Sequence, residues 1–130
     1  MTDPFYQGTA TQITGAGLKQ AAIIDLNGTV VGDSNNLPVA NTEAARLISD
    51  YDNPAFAQTN GVVMGGIKYT TVVANNASIY GKIGPNGLSG MVSAKSVSHV
   101  IIGIYDSSIP SGNAANEVEK IAEYFRTNGV

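Results

Sequence analysis

The 130-residue chain has one imidazole, His99, and no thiol. Cysteine nucleophiles, zinc–thiolate sites, disulfide scaffolds and any centre built on two imidazoles are therefore excluded. His99 opens an apolar run, so it reads as a satisfied, half-buried side chain rather than a catalytic base. Asp50 and Asp52 stand close enough in sequence to suggest acid–base work. They end a helical stretch, however, and are expected to be solvated. Gly15-Ala16-Gly17-Leu18-Lys19-Gln20 begins like a dinucleotide-binding loop, but it lacks the third glycine and precedes a strand where that fingerprint follows one. Gly87-Leu88-Ser89-Gly90 has the wrong spacing for a nucleophile elbow. Asn27-Gly28-Thr29 and Asn76-Ala77-Ser78 match the glycosylation sequon, yet both asparagines serve turns. The acidic start Met1-Thr2-Asp3-Pro4 also lacks the apolar region of a secretory signal. Enzymatic chemistry, a cofactor and a metal site are not expected; the chain reads as a binding protein in a soluble, reducing compartment.

Charge gives the positive signal. Net charge is −3, which argues against nucleic acid as a partner. Residues 1–52 carry six acids (Asp3, Asp25, Asp33, Glu43, Asp50 and Asp52) and two bases (Lys19 and Arg46). Residues 53–105 carry no acid and three lysines, Lys68, Lys82 and Lys95. Acids return in the last segment as Asp106, Glu117, Glu119 and Glu123, beside Lys120 and Arg126. The middle of an acidic chain is thus weakly positive, either through ordinary surface lysines or as a docking face for an acidic partner.

The elements that position these residues follow from periodicity. Hydrophobic residues make up 43% of the chain and charged ones 13%, enough for one core and far from a disordered balance, so a single domain over 1–130 is expected. Ala21–Leu26 and Thr29–Val31 flank Asn27-Gly28, a type I′ hairpin signal. Strands are predicted at Gly61–Met64, Ile67–Val73, Ser78–Ile83, Leu88–Lys95 and His99–Tyr105, with turns at 74–77 and 84–87. The last strand is apolar on both faces and belongs at the centre of the sheet. Ala44, Leu47, Ile48 and Tyr51 make one helical face, capped by Asn41 or Thr42 and stopped at Asn53-Pro54. A short helical turn is expected at Pro54–Gln58. Ala114, Val118, Ile121, Ala122 and Phe125 make the clearest stripe, capped by Ser111 or Asn113 and ended by Gly129, with Glu117, Glu119, Lys120 and Glu123 facing away. The segment Asp3–Ile13 is a poor helix, given Gly8 and its threonines. The sum is a meander of about six antiparallel strands with helices on both faces, an α/β/α sandwich of the α+β kind.

Four stretches carry a family resemblance. They are Gln20-Ala21-Ala22-Ile23 with Leu26-Asn27-Gly28, residues 60–69 (Asn-Gly-Val-Val-Met-Gly-Gly-Ile-Lys-Tyr), Ser78-Ile79-Tyr80-Gly81-Lys82, and Ile102–Asp106 followed by Pro110–Lys120. The chain resembles the profilins, most closely those of amoebae, slime moulds and plants. The resemblance implies a six- or seven-stranded antiparallel sheet with the terminal helices on one face. It implies a monomer of the cytoplasm and cytoskeleton that binds monomeric actin, regulates its polymerisation and nucleotide exchange, and contacts proline-rich proteins and phosphoinositides. Carried over, the actin contacts fall on Gln58, Thr59, Lys68, Thr70, Thr71, Lys82, Ile109, Gly112, Asn116 and Lys120. Val73 stands where many relatives carry arginine, and Lys120 where vertebrate members carry glutamate. A non-actin sensor or trafficking scaffold on the same architecture is the competing reading, since fold alone does not choose function.

The proline-rich groove departs from the family pattern. Its aromatic platform usually includes two tryptophans, and this chain has none. The carried-over positions are Phe5, Tyr6, Val31 and Tyr124. Adjacent residues point about 100° apart on a helix, so only one of Phe5 and Tyr6 can take its family place. Aromatic anchors are worth ~2 kcal/mol or more each, so losing two predicts proline-rich binding weaker by roughly a thousandfold. Phosphoinositide binding is expected to be weak as well, because the seven basic residues form no run. Convergence of Lys19, Lys95 and Arg126 in space is the exception to look for.

Overall fold

The computed structural model describes residues 4–84 and 86–130. Asp3 of the expected N-terminal helix and Pro85 of the expected turn at 84–87 lie outside them. Seven strands, β1 (Gln20–Asp25), β2 (Val30–Ser34), β3 (Val62–Met64), β4 (Ile67–Ala74), β5 (Ser78–Ile83), β6 (Ser89–Lys95) and β7 (His99–Tyr105), form one antiparallel sheet in the order β2-β1-β7-β6-β5-β4-β3. The run β3 to β7 is a meander. The first hairpin does not extend it in sequence order, because β1 pairs with β7 across Ala22↔Ile102 and Ile23↔Ile101. β7 is buried at every position, as a strand apolar on both faces requires.

Strand alternation divides the core. Ala21, Ile23, Val92, Ala94 and Ile101 face α1 (Pro4–Gly15) and α4 (Ser111–Thr127), packing on Ile13, Val118, Ile121 and Phe125. Ala22, Ile24, Met91, Val100 and Ile102 face α2 (Asn41–Asp52) and α3 (Pro54–Asn60), packing on Leu47, Tyr51 and Ala57. Side chains thus fill both layers between sheet and helices. Burying a side chain such as Phe125 contributes about 1.5–3 kcal/mol.

Local rules misjudge α1. Despite Gly8 and three threonines it is a twelve-residue helix. Its support is tertiary: the Gln7 amide donates to the Asp33 carbonyl (2.5 Å) and accepts the Asp33 N–H (3.1 Å). Thr9 and Thr11 turn their hydroxyls back to the Phe5 and Gln7 carbonyls, and Thr14 Oγ1 meets Ser34 Oγ at 2.7 Å. The helix comes so close to β2 that a Cβ on Gly32 would sit 2.5 Å from the Tyr6 carbonyl oxygen.

Three local expectations are corrected. The Asn27-Gly28 hairpin is not type I′, since Gly28 has positive φ (85°) and Asn27 does not. The Asp25 carboxylate instead accepts the Asn27 and Thr29 N–H groups, folding a longer Asp-anchored loop. Neither Asn41 nor Thr42 caps α2. Ala40 holds that place, and Glu43 reaches back to accept its N–H at 3.0 Å. Neither Ser111 nor Asn113 caps α4, because Pro110 precedes its first residue in extended geometry. Gly129 does end α4: Val130 N–H reaches the Phe125 carbonyl and Gly129 N–H that of Arg126, a Schellman closure.

Candidate partner-binding faces

The β5 side chains are oriented from the α4 side. Ser78 Oγ (2.5 Å) and the Tyr80 hydroxyl both donate to the Glu119 carboxylate. Burial and that carboxylate push the Tyr80 phenol up to about 12, so it remains a proton donor. Glu119 therefore leans onto the sheet instead of facing away as its place in the polar stripe suggests. With Ser78 and Tyr80 on this face, alternation puts Lys82 there too. Thr70 is the register partner of Lys82, and Lys68 lies two residues earlier on β4. A bulge follows: Thr71 opposes Gly81 and Val73 opposes Tyr80, with exposed Val72 between them. Thr71, next to Thr70 before the bulge, lies on the opposite face by ordinary alternation, and its hydroxyl donates to the Ala57 carbonyl of α3 at 2.6 Å.

Lys82, Val72, Tyr80, Gly87, Ser111 and Gly112 line an open hollow of about 310 Å³ beside the start of α4. Among the described residues, neither Lys68 nor Lys82 joins a salt bridge. Gln58 and Thr59 are exposed on α3, and Gln58 donates to the Ala74 carbonyl at 3.0 Å. The end of α3 approaches this face, for a Cβ on Gly61 would lie 3.5 Å from Lys68 Cε. Lys68, Thr70, Lys82 and Gly112 thus share one surface, with Thr71, Gln58 and Thr59 at its border.

The remaining carried-over residues fall elsewhere. Ile109 is 8% exposed and belongs to the core, against Gly17, so its side chain is not available to a partner. Asn116 is exposed beside a second hollow with Gly17, Ser108 and Glu117. Lys120 pairs with Glu117 at 3.2 Å and lines a groove between α1 and α4 with Phe5, Thr9, Gln12, Ile121 and Tyr124. The groove exposes two rings, Phe5 (45%) and Tyr124 (57%). Phe5 stacks on buried Phe125 with centroids 5.6 Å apart. Tyr6 is turned inward, 4.6 Å from the His99 ring, and Val31 packs on the core.

Besides Glu119, two further acids depart from the sequence reading or go unseen by it. Asp50 is not solvated. It is 1% exposed, Oδ2 has no hydrogen-bond partner, and Oδ1 lies 3.8 Å from Arg46 Nε. Burial raises its carboxyl above the ordinary range, partly opposed by Arg46. Arg46 itself lies over the Phe56 ring at 3.9 Å. Glu43, besides its helix role, accepts the Gly65 and Gly66 N–H groups and ties α2 to the β3–β4 turn. The signal for Asp50 was its place beside Leu47 and Tyr51, on a helix that must cover a sheet. His99 and Phe125 were legible as buried positions but not as members of one aromatic cluster.

The basic residues do not converge. Lys19 donates its N–H to Ile104 at one end of β7, while Lys95 pairs with Val100 at the other. Of these residues Arg126 meets only Lys95, donating to its carbonyl at 2.8 and 3.1 Å, and its guanidinium also pairs with Glu123 at 3.3 Å. Among the described residues no helix is long and apolar enough to cross a membrane.

A family model described as Profilin matches residues 6–130. The sequence is 38% identical over 119 residues to profilin-1 of Dictyostelium discoideum, covering 91% of this chain and 92% of that protein. Acanthamoeba castellanii profilin IB superposes with a TM-score of 0.88 at 32% identity, over 96% of this chain and 99% of that one. Mouse profilin IIa, solved in complex with a double repeat from the FH1 domain of mDia1, shares the fold at 14% identity with a TM-score of 0.78, over 96% and 99% of the two chains.

Proposed function

The chain belongs to the profilin family of actin-binding cytoskeletal regulators, and from that premise we propose that it holds monomeric actin on the face carrying Lys68, Thr70, Lys82 and Gly112. Gln58, Thr59 and Thr71 border that contact. The observation that carries the reading is the pair Lys68 and Lys82. They project from neighbouring strands in the acid-free part of the chain, with no intramolecular ion pair among the described residues. Cations in that state cost little to pair across an interface and steer an acidic partner toward it. Binding there slows spontaneous polymerisation and eases nucleotide exchange on actin. Asn116 and Lys120 lie outside this face, and Ile109 is buried against Gly17.

The α1–α4 groove is a weakened proline-rich site in this proposal. A polyproline helix packs its ridges on flat rings. Phe5 and Tyr124 offer two, while Tyr6 is committed to His99 and Val31 to the core. Phosphoinositide binding is weak because the basic side chains are dispersed over opposite ends of the sheet. The protein acts as a monomeric single domain in the cytoplasm. Pyrene-actin assembly tests the main claim: micromolar protein lengthens the lag and lowers the initial rate, whereas unchanged curves across that range overturn it.

A further inference from the structure

We propose that His99 is a proton-sensitive latch that seats α1 on the sheet, so that protonating this single imidazole loosens α1 and with it one wall of the α1–α4 groove. The groove clause rests on the reading of α1 and α4 as walls of a peptide site; the latch does not.

The imidazole joins three elements. It starts β7, is 8% exposed, lies 4.6 Å from the Tyr6 ring of α1 at 31°, and meets Phe125 of α4 edge-on at 6.0 Å. Phe5 stacks on the same Phe125 and meets Tyr6 at 5.1 Å, so the first turn of α1 is held by one continuous ring cluster. Its remaining seats lie further along: Ala10 and Ile13 are buried in the core, and Gln7 and Thr14 bond to β2. A helix of such low intrinsic propensity forms only while docked, and the cluster supplies the docking of its first turn.

Charge in that cluster is poorly compensated. The Ser98 hydroxyl lies 3.1 Å from Nδ1 and Asp25 is the register partner on β1. The Asp25 carboxylate already accepts two loop N–H groups. From α1 the titratable group is the Tyr6 phenol, and α4 contributes the uncharged Phe125. Arg126 of α4 donates to the Lys95 main-chain carbonyl and pairs with Glu123, and Val130 beyond α4 accepts the Ser98 N–H through its main-chain oxygen. Burial accordingly holds the imidazole below its ordinary value, with Asp25 opposing. The sign follows: the folded state favours the neutral ring. The stability it supports is therefore complete above the free imidazole value and is lost as pH falls through the lower folded value.

Because His99 is the chain's only histidine, the test is direct. Amide exchange of residues 4–15, expressed as protection factors, is measured from pH 7.5 to 5.0 in the wild type and in His99→Phe. The latter keeps a ring but cannot charge. Both are made also with Asp50→Asn, to remove the buried carboxyl that titrates above its ordinary range. Wild-type protection falls on acidification, about tenfold for each unit by which the folded imidazole value lies below the free one, while His99→Phe stays flat. Constant wild-type protection, or the same fall in His99→Phe, overturns the latch. Should His99→Phe fail to fold, NMR titration of the wild-type imidazole with the Tyr6 ring shifts decides: a midpoint at or above the free value overturns it. Titrating a decaproline peptide at both pH values separates the readings. Exchange that responds while peptide affinity does not leaves the latch standing and removes the groove clause.

Discussion

Replacing Asp50 with asparagine should stabilise the protein at neutral pH and do so less as pH falls. Asp50 is 1% exposed and its Oδ2 has no hydrogen-bond partner. A buried polar atom left unsatisfied costs about 1–3 kcal/mol and more when charged, so the neutral amide, equally unpartnered there, costs less than the carboxylate. Asparagine keeps the shape and removes the charge. It forfeits a contact to Arg46 that spans 3.8 Å and whose cation is half exposed, worth at most about 1 kcal/mol. Helix propensity is nearly the same for the two residues, so the net gain at pH 7 is about 1 kcal/mol. An unfolding entropy of about 2.1 cal/mol/K per residue converts that to a rise in Tm of roughly 4 °C. The pH dependence carries its own sign. The folded carboxyl titrates above its unfolded value, so wild-type Asp50 is harmless below the unfolded value and becomes costly as pH rises through the folded one. Urea melts followed by far-UV circular dichroism at pH 7.0 and pH 4.0 measure both effects. The His99 contribution is common to the two proteins and cancels in the difference. A variant no more stable than wild type at pH 7, or a gap of equal size at both pH values, would refute the reasoning.

Removing the Glu119 carboxylate as Glu119→Ala strands the Ser78 and Tyr80 hydroxyls and should cost about 1–3 kcal/mol. Glu119→Gln, which keeps an acceptor, should cost less, and equal melts for the two variants would show that the acceptor is unimportant. Gly32→Ala puts a methyl 2.5 Å from the Tyr6 carbonyl and must displace α1. A loss of roughly 2 kcal/mol, within the range for overpacking, with faster exchange in residues 4–15 is expected, and unchanged exchange there contradicts it. A proline-rich peptide titrated by calorimetry should bind with a dissociation constant far above the low micromolar range, and a low micromolar value would show that Phe5 and Tyr124 suffice as a platform.

What the sequence made legible was what repeats at short range. Ile101, Ile102 and Ile104 alternate faces within a continuous apolar run, which marks β7 as central, and Ala114, Val118, Ile121 and Phe125 mark α4. What it hid depends on partners far along the chain. α1 is held by Gln7 bonded to Asp33, a contact that no propensity within residues 4–15 encodes. The Asn27-Gly28 hairpin is set by the Asp25 carboxylate, so the dipeptide alone misnamed the turn. Asp50 and Glu119 were read as polar from identity, although position on an amphipathic helix decides burial and both sit at the edge of a buried stripe. The candidate site shows the same division. Lys68, Thr70 and Lys82 follow from strand alternation, whereas the inward turn of Ile109 and the placement of Lys120 in the α1–α4 groove needed the packing of α4 on the sheet.

Charge reversal at two lysines tests the central claim most directly. Lys82→Glu, on the proposed actin face, and Lys120→Glu, in the groove, alter net charge equally, so nonspecific electrostatics affect both alike. Fluorescence anisotropy with labelled monomeric actin should show Lys82→Glu weaker by more than ~1 kcal/mol, about fivefold or greater, as expected for a cation lost from a charged contact. Lys120→Glu should stay within about twofold of wild type. Equal affinity for wild type and Lys82→Glu, or a larger loss at Lys120 than at Lys82, would contradict the assignment of this face.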